Sequence, residues 1–129
     1  MSKVTPIEEY RKKYTYLNKQ TLKTATTKDP ELLVQLINDS SLQTTTRGNI
    51  IEALALNPDE KYFNLIKTFI DNESPHIRES VIYALYQYYT TDMVKFCETL
   101  SLLKQRDQVE TIDGVKQALA EIIKLAEFY

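Results

Sequence analysis

The sequence predicts an all-α protein: a short α-α superhelix of about three helix pairs, preceded by one further helix. Three observations carry that expectation. Each of the four prolines directly follows a residue able to cap a helix: Thr5-Pro6, Asp29-Pro30, Asn57-Pro58 and Ser74-Pro75. Apolar residues recur at helical spacing, and no stretch alternates strictly enough for a strand. Two segments, RGNIIEAL from Arg47 to Leu54 and RESVIYAL from Arg78 to Leu85, align without gaps at a constant offset of 31 residues.

The prolines mark helix starts. At the first helical position a proline loses nothing, because that N–H has no partner inside the helix. Acids follow close behind, at Glu8 and Glu9, Glu31, Asp59 and Glu60, and slightly later Glu79. They complement the positive end of the helix dipole. Thr5-x-x-Glu8 also fits a capping box.

Taken in order, the first helix lies within 5–28 and carries Ile7, Tyr10, Tyr14 and Leu17 on one stripe. Its Arg11-Lys12-Lys13 run reads as a solvated face. A first pair, 29–57, carries Leu32, Leu33, Leu36 and Ile37, then Ile50, Ala53 and Leu54. A second, 58–90, carries Tyr62, Leu65, Ile66, Phe69 and Ile70, then Ile77, Val81, Ala84, Leu85 and Tyr88. In that pair and the one before it, Asn57 and Asp29 stand as caps with proline at the first helical position. A third pair, 91–129, carries Met93, Phe96, Cys97, Leu100 and Leu103, then Ile112, Val115, Leu119, Ile122 and Ala126. IDGVKQAL, from Ile112 to Leu119, is a weaker third copy, 34 residues after the second.

Composition excludes several functions. The chain has 129 residues, 43% apolar and 26% charged, which fits one soluble domain with a real core. Sixteen Lys and Arg stand against 18 Asp and Glu, and such a balance argues against nucleic acid as the main partner. One Cys and one His leave no disulfide framework and no His-pair or multi-Cys metal site. Two Gly build no phosphate loop. No apolar run is long enough to span a membrane, and the opening residues carry no secretory signal, so a cytoplasmic protein with no membrane partner is expected.

The stretch from Asn64 to Leu85, NLIKTFIDNESPHIRESVIYAL, resembles the short HEAT-type repeat of phycobilin lyase-like proteins. That family's unit reads as an apolar helix, an Asp, a short turn, an apolar-Arg pair, then Ala-Leu. Asp71, Ile77, Arg78, Ala84 and Leu85 fill those slots, and Asp39, Arg47, Ala53 and Leu54 fill them in the preceding unit. There Thr46 replaces the apolar residue and the turn is one residue longer. In the last unit Ile112 stands where the Arg belongs, as in a terminal, capping repeat. The resemblance covers about residues 30–129 and implies a right-handed α-solenoid of HEAT-like pairs, with the second helix of each pair on the concave side. Asp39, Arg47, Asp71 and Arg78 then form a structural ladder. An Arg at the start of one helix reaches an Asp or a carbonyl in a neighbouring turn and fixes the stacking register more than it stabilises.

Catalysis has little to build on. Cys97 lies on an apolar stripe and reads as a small buried hydrophobe. His76 lies in a first helical turn and reads as exposed. The acids Asp59-Glu60 and Asp71…Glu73 sit at helix ends, where the dipole is reason enough for them. No catalytic residue, cofactor or metal site is expected.

Nine Tyr is a high count, and four lie within YALYQYY from Tyr83 to Tyr89. On a helical wheel Glu79, Ile82, Tyr83 and Tyr86 oppose the apolar stripe, with Tyr89 at the edge. The repeat offsets add Ile51, Glu52 and Ala55 before this helix and Lys116 after it. These residues form a candidate partner-binding groove, with Glu52 and Glu79 on its rim setting the partner's charge preference. The same tyrosines also fit packing under the first helix, packing in a homodimer, or tolerated surface positions. The function expected is non-catalytic protein binding. A small inhibitor or immunity protein that neutralises a cognate toxin is the first alternative. A lyase-like protein acting on a tetrapyrrole, implied only by the family resemblance, is the second.

Overall fold

Proline punctuation places one helix start correctly and misplaces another. In a computed structural model that describes residues 30–91 and 96–127, a helix begins at Pro75 itself, and Pro30 lies within a helix described from that residue onward. Pro58, however, precedes its helix. Asn57 Oδ1 accepts the Asp59 N–H at 3.2 Å, and Asp59 Oδ1 accepts the Lys61 N–H at 3.0 Å. Asp59, not Asn57, is therefore the cap, and the helix opens at Glu60. The helix expected within 5–28, with its Thr5-Pro6 start, lies outside the described residues.

Six helices are described: α1 (Pro30–Ile37), α2 (Thr44–Leu54), α3 (Glu60–Lys67), α4 (Pro75–Thr91), α5 (Phe96–Val109) and α6 (Asp113–Glu127). No strand occurs among the described residues. Each odd helix packs on the even helix that follows it, giving three pairs. The even helices also pack on one another, α2 on α4 and α4 on α6, so they form a continuous row. The all-α class and the stacked pairs are as the sequence indicates.

The repeat step is visible in hydrogen bonds. Tyr62 Oη donates to Glu31 Oε1 at 2.8 Å, Lys67 Nζ to Glu98 Oε1 at 2.7 Å, and Tyr88 Oη to the Asn57 carbonyl at 3.0 Å. Each of these joins residues 31 positions apart, one repeat to the next. Burial, then the Asp59 carboxylate, hold the Tyr88 hydroxyl well above the usual phenol range, so it stays protonated and able to donate.

The core runs between the two rows. Leu33, Leu36 and Ile37 of α1 meet Ile50, Ile51 and Leu54 of α2, and the same layer continues through Phe63, Ile66, Ile77, Val81, Leu85 and Leu119. Phe63 and Tyr88 pack edge to face, centroids 5.2 Å apart at 77°. At Gly48 the absent Cβ lets α2 and α4 approach closely, since one built there would lie 2.3 Å from Ser80 Oγ and 3.2 Å from its Cβ.

Two expectations about the third pair are corrected. Cys97 is exposed, because α5 turns Thr99 and Leu103 inward and leaves Cys97 on its outer side. Ile112 is exposed too, since α6 begins only at Asp113 and its buried stripe starts at Val115.

Candidate functional site

Packing decides how much of each even helix stays open. Helix α4 touches α2, α3, α5 and α6, and α2 touches α1 and α4. Only a narrow stripe of each remains. On α2 and the turn after it, the stripe is Thr45, Asn49, Glu52 and Leu56; on α4 it is His76, Ser80, Tyr83 and Gln87. Steps of four, three and four residues keep each set on one helix face. The sets are repeat mates, each member of the first standing 31 positions before its counterpart.

Two adjoining depressions lie between these stripes. The smaller, 200 Å³, is lined by Thr45, Asn49, Glu52, His76, Glu79, Ser80 and Tyr83. The larger, 370 Å³, is lined by Glu52, Ala53, Leu56, Tyr83, Ala84 and Gln87. Glu52 and Tyr83 border both. Ser80 Oγ donates to Glu52 Oε2 at 3.3 Å, which holds one carboxylate against the wall of α4.

The site expected from the sequence is brought together only in part. Glu52, Glu79 and Tyr83 line the cleft. Ile51, Ala55 and Ile82 do not, and this is a correction: all three are buried, because α2 is covered on two sides and α4 on four. Tyr86 is half-buried and packs against the core, outside both depressions. Lys116 is exposed on α6 but lines neither depression. The side chain of Tyr89 lies outside the described residues. Thr45, Asn49, Leu56, His76, Ser80 and Gln87 went unassigned, although three of them share the stripe of Tyr83 and the 31-residue step from that stripe reaches the other three.

Both arginines of the expected ladder reach backbone carbonyls. Arg47 Nε donates to the Ile37 carbonyl at 2.8 Å, and Asp39 Oδ1 accepts the N–H and hydroxyl of Ser41 at 3.0 and 2.6 Å. Arg78 Nη1 donates to the carbonyls of Asn72 and Glu73 at 2.8 and 3.2 Å. Asp71 takes Arg106 at 2.8 Å, while the rest of the Arg78 fork meets Glu110 at 2.8 and 2.9 Å. Glu110 is the residue the sequence reading missed. Its side chain is fully buried and also accepts Arg106 Nε at 3.2 Å and the N–H groups of Thr111 and Ile112, both at 3.1 Å. Burial pushes this carboxyl up, but the Arg78 guanidinium, the Ile112 N–H and Arg106 outweigh it and bring it down to about 2.

Cys97 lines a separate 450 Å³ depression along α5, so the thiol and the His76 imidazole face different depressions. Among the described residues, no group of three or more His, Cys, Asp or Glu is placed to hold a metal ion. No described helix is long and apolar enough to cross a membrane. Comparison of the chain with family models, with curated proteins and with solved structures returns no match.

Proposed function

We propose that this chain is a HEAT-like solenoid that binds a protein partner through the cleft between α2 and α4, without catalysis. The observation that carries this reading is Tyr83. It is 37% exposed at the border of two adjoining depressions, on a helix otherwise covered from four sides. A tyrosine so placed offers a large rigid contact area, with few rotatable bonds to freeze on binding. Leu56, also exposed, adds an apolar neighbour across the larger depression. The HEAT-like reading is supported by the row of even helices, by arginines in the first turns of α2 and α4, and by hydrogen bonds at the repeat step. Stacked helix pairs of this kind present extended surfaces for binding.

A photo-crosslinking amino acid placed at position 83, with a control at position 61 on the opposite row, tests the reading in the native cell. Position 83 should yield one discrete protein adduct that position 61 does not. Identical adduct patterns at both positions refute it.

A further inference from the structure

We infer that the α2–α4 cleft takes a protein segment in which an Arg or Lys side chain stands beside a large apolar one; the inference rests on the protein-binding reading above. The two halves of the cleft differ in chemistry. The smaller depression holds two carboxylates, Glu52 and Glu79, and neither Lys nor Arg lines it. Its remaining titratable lining groups are His76 and the phenol of Tyr83. The larger depression is walled by Ala53, Leu56, Ala84 and the Tyr83 ring, with polar groups only from Glu52 and Gln87.

The weaker repeat copy adds acids along the row, beside the exposed Lys116. Asp113 stands 34 positions after Glu79, and Glu121 stands 34 positions after Gln87; both are exposed on α6. A cationic segment is drawn to such a face, and an acidic one is repelled.

Geometry then sets the segment's pattern. Glu52 and Tyr83 border both depressions, so a side chain in one half stands next to a side chain in the other. The partner's basic and apolar residues must therefore lie within about four positions of each other, adjacent on a strand or one turn apart on a helix. Arg suits the smaller half better than Lys. Its plane stacks on the Tyr83 ring while its fork reaches a carboxylate.

The test is selection from a library of short random peptides on the full chain, repeated on Tyr83→Ala and on Glu52→Gln/Glu79→Gln. Both variants are first matched to the native protein by circular dichroism and melting. Selected peptides should carry Arg, or less often Lys, within about four positions of Leu, Ile, Met or Phe. A selected peptide should bind either variant at least about tenfold more weakly, a loss typical of a binding anchor. Peptides that need Tyr83 but carry no basic residue overturn the charge inference and leave the binding surface standing. If no selected peptide depends on Tyr83, the surface reading falls with it.

Discussion

The buried carboxylate of Glu110 offers the sharpest test of how the last two pairs are held in register. Consider Glu110→Gln. The carboxylate accepts two bonds from Arg78, one from Arg106 and two from backbone N–H groups. An amide keeps one acceptor oxygen and turns the other site into a donor facing donors. Arg78, whose side chain is 9% exposed, loses its counter-charge in place. Removing one partner of a buried ion pair costs about 3–5 kcal/mol. One arm of Arg78 stays on the Asn72 and Glu73 carbonyls, so the cost falls at the lower end, about 3 kcal/mol. That is a large share of the roughly 5–15 kcal/mol available to a domain. Urea unfolding followed by circular dichroism measures it. Arg78→Met/Glu110→Leu should recover part of the loss, because no unpaired charge remains. A loss below about 1 kcal/mol, the worth of a single ordinary hydrogen bond, refutes the anchoring role.

The same carboxylate sets an acid limb. Its proton binds the folded chain only near pH 2, but binds the unfolded chain near 4.5. Between those values protons favour the unfolded state. Stability from this group is therefore complete above about 4.5 and lost as the pH falls toward 2. The gap between the native protein and Glu110→Gln should narrow over that window and stay constant above it. Stability curves that run parallel throughout would show that Glu110 is not the group titrating.

Four further outcomes follow from the packing. Gly48→Leu should destabilise by several kcal/mol, whereas Gly48→Ala should stay within about 1 kcal/mol, because Ser80 Oγ can rotate away and the helix gains propensity; thermal melting separates them. Tyr88→Phe should cost about 1 kcal/mol in urea unfolding, the worth of its bond to the Asn57 carbonyl. Thr99 Oγ1 is buried with no hydrogen-bond partner among the described residues, so Thr99→Val should be neutral or stabilising by up to about 1 kcal/mol. Tyr86→Ala should lower the melting temperature while Tyr83→Ala leaves it nearly unchanged, since only Tyr86 packs on the core.

What could be read from the sequence was whatever a single helix decides for itself. Leu32, Leu33, Leu36 and Ile37 follow one wheel and all are buried. Pro75 sits where a missing N–H costs nothing. Pro58 was ambiguous because two capping residues flank it, and the two hydrogen bonds that settle the matter share Asp59. The site was harder, because exposure depends on neighbours. A helical wheel opposes Ile82 to the apolar stripe, but α4 has no free half; its neighbours close the sides and leave only the stripe of His76, Ser80, Tyr83 and Gln87 with Glu79 beside it. On α5 the wheel failed for a different reason. Its inward anchor is a charged residue directly after the helix, Glu110, with Arg106 beside it, and a hydrophobic pattern cannot find a contact built on ion pairs.

The two arginines that opened the repeat argument show how one position acquires two roles. Arg47 and Arg78 occupy matching places in their helices. Arg47 ends on a carbonyl at the close of α1, inside its own pair. Arg78 holds its own turn with one arm and spends the rest of the fork on Glu110, in the next pair. A carbonyl contact fixes the angle within a pair, and a carboxylate contact fixes one pair against another. If that division holds, Arg47→Lys should loosen only the first pair, and hydrogen exchange should speed up in α1 and α2 alone. Arg78→Lys keeps the charge but loses the two-pronged grip, and exchange should rise across α4, α5 and α6 together. Equal, uniform acceleration from both substitutions would mean that the stack opens as one unit, with register set by apolar packing rather than by arginine.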